Sequence, residues 1–279
     1  MRSLAANPSA VNPLDWDLGN IPPGIPWGGV DEAGRGAWAG PVVAACAVLD
    51  QDAAARWAHV LRGARDSKRL VPERREALAA ELKMILPAWA VGEVDNLAID
   101  RDNILEATLG AMRQAVAAVR LRPRILLVDG NRAPGSGLPE RLVVDGDALS
   151  CAVACASILA KTHRDGLMRE LDRLVPGYGF GRHKGYGTPE HQAALRALGA
   201  SWAHRLSYAP VAALQRPEPG LRAAFLAQID GCASVAELQS WVEETLRPAY
   251  GRLELAAVAA LRERYGACLA RLALAEQVP

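Results

Sequence analysis

Aromatic side chains are scarce, only 5% of 279 residues, so a large interior has to be built from Ala, Val and Leu. With 51% hydrophobic residues, that interior needs neither disulfides nor a structural metal to hold it. An excess of one charge is missing too. The formal net charge is +1, which argues neither for nor against a polyanionic partner. Cysteines are few: Cys46, Cys151, Cys155, Cys232 and Cys268. An odd number at irregular spacing argues against a disulfide framework and fits a reducing compartment. Cys151 and Cys155 stand four apart on an expected helix, with no second Cys/His pair at zinc spacing, so they read as small core residues. The opening MRSLAANPSAVNP has no apolar h-region, so no signal peptide is expected. The longest apolar run, 37–49, contains Gly40-Pro41 and is too short to cross a bilayer. The expectation is a cytoplasmic protein with no membrane partner.

What is present is more specific. Residues 29–36 read Gly-Val-Asp31-Glu32-Ala-Gly34-Arg35-Gly36. Adjacent acids at a strand end repel each other and become useful when divalent cations sit between them. Glycines flanking an arginine suit a backbone that must approach a phosphate or sugar closely. Charge is also unevenly placed. Residues 161–210 hold eight Arg/Lys against four acids, a local +4, together with four of the five histidines. A solvated face and a polyanion-binding surface both fit that excess.

Residues 1–26, rich in Asn, Pro and Gly, read as a loose arm. Strands are expected at 27–32, 39–49, 88–94, 124–128 and 141–144, the first two as a hairpin-like pair. Helices are expected at 72–86, 102–119, 150–174 and 188–199, the last capped by Thr188 and stopped by Gly199. Strands alternating with helices indicate an α/β domain on a mixed sheet, here 27–215. The two later strands each end at an acid, where open α/β sheets place their sites. A linker-like run at 215–220 precedes a segment, 216–279, with two expected helices at about 234–246 and 252–273. That segment carries seven Arg and eight acids and no basic stripe, so it reads as a helical appendage for packing or for a protein partner.

Further clusters accompany the opening motif: Asp66-Ser67-Lys68, Asp129 in LLVDGN, Asp147 in VVDGDA, ASILAK at 156–161 with Arg164-Asp165, and His183-Lys184-Gly185-Tyr186-Gly187-Thr188. In this order they resemble the type 2 ribonucleases H, specifically bacterial ribonuclease HII, over 27 to about 211. The resemblance implies an α/β, ribonuclease H-like mixed sheet flanked by helices, with the C-terminal helical appendage outside the usual pattern. It implies cleavage of RNA in RNA–DNA hybrids and at single ribonucleotides embedded in duplex DNA, with divalent Mg or Mn. Matched motif by motif, the acids are Asp31, Glu32, Asp129 and Asp147. Asp145 and Asp165 rival the fourth position, although spacing to Ser157 and Lys161 favours Asp147. Asp145 stands where the family more often has a basic residue. The resemblance also places Gly34, Arg35 and Gly36 near the 2′-hydroxyl and Tyr186 on the sugar after the ribonucleotide. Lys68 and Lys184 read as phosphate contacts, and Ser67 as a turn cap or another phosphate contact.

The residue chemistry agrees. Hard divalent ions want oxygen ligands, and a few carboxylates suffice for Mg, which keeps several waters. Two other readings remain open at this point. A catalytically silent hybrid binder need not take up metal at the acids. A junction resolvase on the same fold would cut branched DNA and has no use for a turn that senses a 2′-hydroxyl.

Overall fold

A computed structural model of the chain describes residues 11–64, 71–215 and 217–275. The chain divides into two compact units, 1–36 with 41–167 and 37–40 with 168–279.

The first unit is built on a five-stranded sheet of β1 (Trp27–Ala33), β2 (Val42–Leu49), β3 (Ala88–Val94), β4 (Ile125–Asp129) and β5 (Glu140–Val143), in the order β3-β2-β1-β4-β5. β1 to β3 pair antiparallel, whereas β4 lies parallel to both β1 and β5. This is the expected mixed sheet. β2, VVAACAVL, is buried at every position, and its small residues let helices approach both faces. Two glycines mark how closely they come. A Cβ on Gly29 would lie 2.0 Å from the Ala152 carbonyl carbon in the helix Cys151–Leu174, and one on Gly92 would lie 2.2 Å from the Ala111 oxygen in the helix Ile104–Ala118. Gly29 pairs with Ala47 and Gly92 with Ala44. Those alanines are an odd number of residues apart on β2, so the two helices cover opposite faces. β2 begins later than the expected residue 39, because Gly40 takes a positive φ of 78° ahead of Pro41.

Within the expected loose arm, the described residues include a helix. Asn12 caps the helix Pro13–Asn20, and Leu14 and Asp17 of that helix are buried. The reason is a carboxylate. Asp17 Oδ2 accepts from the Ala152 backbone N–H at 2.9 Å, at the first turn of Cys151–Leu174, and from Trp27 Nε1 at 3.1 Å. It thereby satisfies a donor that a helix N-terminus otherwise leaves open. Proline-rich composition hid this anchor.

Burial pushes the Asp17 carboxyl from 3.8 up to about 6, although hydrogen bonds from Ser150, Ala152, Trp27 and Cys151 pull it down. A raised folded-state pKa contributes stability that is complete below the unfolded value and lost as pH rises through the folded one. Asp17→Asn is therefore expected to be more stable than the parent at pH 7, by on the order of 2–3 kcal/mol. The advantage should shrink to nothing as pH falls from about 6 to about 4. Urea melts of both proteins across that window check it, and a gap that does not change with pH overturns the assignment.

The second unit joins the end of the Cys151–Leu174 helix to the loop through Gly187, the helix Pro189–Leu198, and the appendage. Thr188 Oγ1 caps Pro189–Leu198 and Gly199 stops it, as expected. The appendage has more helix than the two expected segments: Leu221–Gly231, Val235–Trp241 and Leu255–Ala275 pack through Phe225, Ile229, Leu238, Leu261 and Cys268. Ahead of Pro248 the chain widens to a π turn, Val242–Leu246, in which Arg247 N–H donates five residues back to the Val242 carbonyl. The Arg247 guanidinium covers the Trp202 ring at 4.3 Å, and a Cβ on Gly251 would meet the Ala200 oxygen at 2.2 Å. The appendage is thus packed on its own unit. Among the described residues, no helix is long and apolar enough to cross a membrane.

Candidate metal centre

The register of β1 decides where its acids point. Asp31 pairs with Ala45 and so shares a face with Gly29, the face covered by Cys151–Leu174. The Ser157 hydroxyl of that helix bonds the Asp31 carboxylate, and the Glu32 N–H donates to Asp31 Oδ1 at 2.7 Å. Alternation alone would send Glu32 to the other face. At the strand end, however, one carboxylate oxygen each from Asp31, Glu32 and Asp129 lie within 4.8 Å of one another. Asp129 reaches the cluster because β4 runs parallel to β1, with Val128 paired to Val30.

Asp129 is held by the turn that follows β5. Gly146 N–H donates to Asp129 Oδ1 at 2.7 Å. Asp145, exposed and left-handed at φ 54°, precedes it, and the buried Asp147 follows in the short helix Gly146–Leu149. Among the described residues the tight set is Asp31, Glu32 and Asp129, and it does not include Asp147. The rival Asp165, also outside the tight set, is buried in the first unit and bonded to Arg75 at 3.3 Å and to Lys161 at 2.6 Å.

Crowding and dehydration raise the proton affinity of the acids. Burial, then the charges of Glu32 and Asp129, push Asp31 well above its ordinary 3.8, against the pull of the Ser157 hydroxyl and the Glu32 N–H. Burial also raises Glu32 above 4.5; Arg35, 3.4 Å away, opposes this and Asp129 adds to it. Clustered, desolvated carboxylates with all-oxygen donors fit a hard divalent cation, which relieves the repulsion that raises them.

The turn beside the cluster rests on Arg164, which the sequence analysis names within a motif but does not place in the site. Gly34 has φ +97°, and a Cβ there would lie 2.0 Å from Arg164 Nε. Arg164 is fully buried and donates from Nε to the Pro41 carbonyl at 2.9 Å. Ser157, Lys161 and Arg164 recur four and three residues apart, so they share one face of the helix. That polar row at helical spacing was the available signal. Arg35 and Gly36 are exposed.

Lys184 and Tyr186 belong to the second unit. Lys184 is left-handed at φ 55° and its ammonium bonds the Gly181 carbonyl; Tyr186 is 36% exposed. Asp66, Ser67 and Lys68 lie outside the described residues.

The ribonuclease HII family model matches residues 28–211. The ribonuclease HII of Paracidovorax citrulli is 51% identical over 192 residues, 69% of this chain and 77% of its own length. That of a Polaromonas species is 47% identical over 97% of its own length, which takes up 73% of this chain. The solved ribonuclease H2 of Pyrococcus horikoshii OT3 aligns with a TM-score of 0.58 at 27% identity, covering 68% of this chain and 97% of that protein. With an acid cluster at the strand ends that these matches span, the chain belongs to the ribonuclease HII family and is an endoribonuclease.

Proposed function

We propose that the protein hydrolyses the RNA strand of RNA–DNA hybrids and nicks duplex DNA on the 5′ side of single embedded ribonucleotides, leaving 3′-hydroxyl and 5′-phosphate ends. The observation that carries this is the carboxylate cluster of Asp31, Glu32 and Asp129 next to a glycine turn with a positive φ. In this reading Asp31, Glu32, Asp129 and Asp147 hold two divalent ions, Mg or Mn. Asp165 is a poorer fourth ligand because two cationic side chains already occupy it. When bound, such a pair of ions supplies a polarised water and neutralises charge on the leaving oxygen.

The chain's own groups do the rest. Ser157 and the Glu32 N–H hold Asp31, and the Gly146 N–H holds Asp129, so two ligands are set before metal arrives. Gly34, Arg35 and Gly36 bring backbone to the 2′-hydroxyl, the group that separates RNA from DNA at one position. Tyr186 stacks on the sugar that follows, and Lys184 and Lys68 meet phosphates, which makes binding weaken with salt. Asp145 adds an exposed negative charge near this centre and tunes metal affinity modestly, since exposed charges are screened.

The test is incubation with duplex DNA holding one ribonucleotide, and separately with an all-DNA duplex, with Mg or Mn. A single nick 5′ of the ribonucleotide, with a 3′-hydroxyl end, is expected, and the all-DNA duplex should survive. Folded protein that leaves the ribonucleotide intact overturns the proposal.

A further inference from the structure

Two histidines of the second unit, His204 and His191, form a hydrogen-bonded chain that ends on the Tyr186 backbone, and a third, His183, stacks on it. His204 is fully buried, and its Nδ1 accepts from the Ser201 backbone N–H at 2.9 Å. A ring nitrogen that accepts carries no proton, so the proton of neutral His204 is on Nε2. That nitrogen lies 3.0 Å from His191 Nε2, which must then accept. The proton of His191 is left on Nδ1, and Nδ1 lies 3.0 Å from the Tyr186 carbonyl. His191 is fully buried as well, and His183 stacks on it at 4.5 Å with ring planes 13° apart. His183 accepts from the Gly185 N–H at Nδ1 and donates to the Tyr178 carbonyl from Nε2 at 2.7 Å. Burial, its largest cause, pushes His191 down to about 4, and burial with its neighbour's charge pushes His204 down to about 3, so the neutral tautomers hold at neutral pH.

The loop so held needs holding. Lys184 and Gly185 are consecutive left-handed residues, at φ 55° and 79°, a conformation that an L residue such as lysine adopts only under outside constraint. The backbone is fixed at several more points: Tyr186 N–H to the His183 carbonyl, Trp38 N–H to the Gly185 carbonyl, and the Gly187 Cα against the Trp38 ring. The Tyr186 carbonyl accepts from the Thr188 backbone N–H at 2.8 Å, and the His191 ring adds a side-chain bond to the same oxygen.

We propose that His191, kept in one tautomer by His204, is a positioning residue that fixes the Tyr186 carbonyl and so sets the presentation of Tyr186 and Lys184 to substrate. The inference rests on the proposed function for Tyr186 and Lys184, but its tautomers are measurable without it.

Nitrogen-15 spectra of the imidazoles at about pH 7 should show His191 with its proton on Nδ1 and His204 with its proton on Nε2. The opposite tautomers overturn the relay whether or not the protein cuts. The kinetic arm uses replacements that copy one ring nitrogen each. An asparagine amide occupies the place of Nδ1 and keeps a donor for Tyr186; a glutamine amide reaches the place of Nε2 and does not. Tyr186→Ala should lower kcat/KM on the single-ribonucleotide duplex by on the order of tenfold, the scale of a lost stacking partner. His191→Gln should approach that loss, His191→Asn should recover most of it, and Tyr186→Ala added to His191→Gln should cost little more. Manganese titration followed by melting should be alike in all four. Equal loss in the Asn and Gln variants, with wild-type cutting intact, overturns the relay, as does a silent Tyr186→Ala. Wild-type protein that shows the tautomers yet leaves the ribonucleotide uncut overturns the proposed function instead.

Discussion

Asp129→Asn is expected to lower ribonucleotide-dependent nicking by about a thousandfold or more, the several kcal/mol that charge stabilisation by bound metal is worth. The replacement is chosen to leave the fold alone. An asparagine carbonyl oxygen can still accept the Gly146 N–H that holds the aspartate at 2.7 Å. The cluster loses one of three charges, and Asp129 is among the charges that raise both Asp31 and Glu32. The metal-free variant should therefore melt at the same temperature as the parent or slightly higher, because a repulsion has gone. The rise in melting temperature on adding Mn should be much smaller than in the parent, because the ion has lost a ligand. Hybrid binding in metal-free buffer should be largely unchanged, since the contact proposed above runs through the turn and the basic side chains. These three readouts separate a ligand from a structural residue. Full turnover in the variant would show that Asp129 is wrongly assigned, and loss of activity together with a falling metal-free melting temperature would show that its role is in the fold.

Much of this centre was legible in the sequence because its parts are local. An acid at the end of an apolar run marks a strand end, and parallel neighbours bring such ends together, so Asp31 and Asp129 meet once β1 and β4 pair. The glycines of the first turn announced an unusual backbone, and Gly34 does have a positive φ. What stayed hidden depends on contacts between residues far apart in the chain. Nothing in residues 1–26 shows that Asp17 caps a helix beginning 134 positions later, at Cys151. Composition there speaks for an arm, and a single buried carboxylate overrides it. Nor does the sequence show that Arg164 lies under Gly34, or that His204 Nε2 comes within 3.0 Å of His191 Nε2. The appendage helix Leu221–Gly231 was missed for another reason: it follows a run with two prolines, and its apolar residues, Leu221, Phe225 and Ile229, form a thin stripe beside the proline signal.

Gly34→Ala is expected to cost more than a glycine turn normally would. Two terms add. A φ of +97° is strained for any L residue, at about 1–3 kcal/mol. The new methyl would then lie 2.0 Å from Arg164 Nε and 2.6 Å from its Cδ and Cζ. Arg164 has nowhere cheap to go. It is fully buried, and moving it gives up the bond to the Pro41 carbonyl, leaving a buried charged donor short of a partner at about 1–3 kcal/mol. The alternative is that the turn lifts, which carries Arg35 and Gly36 with it and pulls on Glu32, two residues back in β1. Either way both stability and cutting at ribonucleotides should fall. Gly24→Ala provides the comparison: its φ is +79°, with no atom within 4 Å of the added Cβ, so it suffers the backbone term alone. The difference between the two variants in urea melts isolates the clash. A double-mutant cycle assigns it to Arg164, since Arg164→Ala removes the atoms that the methyl meets. The double variant should be less destabilised than the sum of the singles. Additive losses would mean that Gly34 is there only for its dihedral, and that the buried guanidinium does not set the height of the turn above the acids.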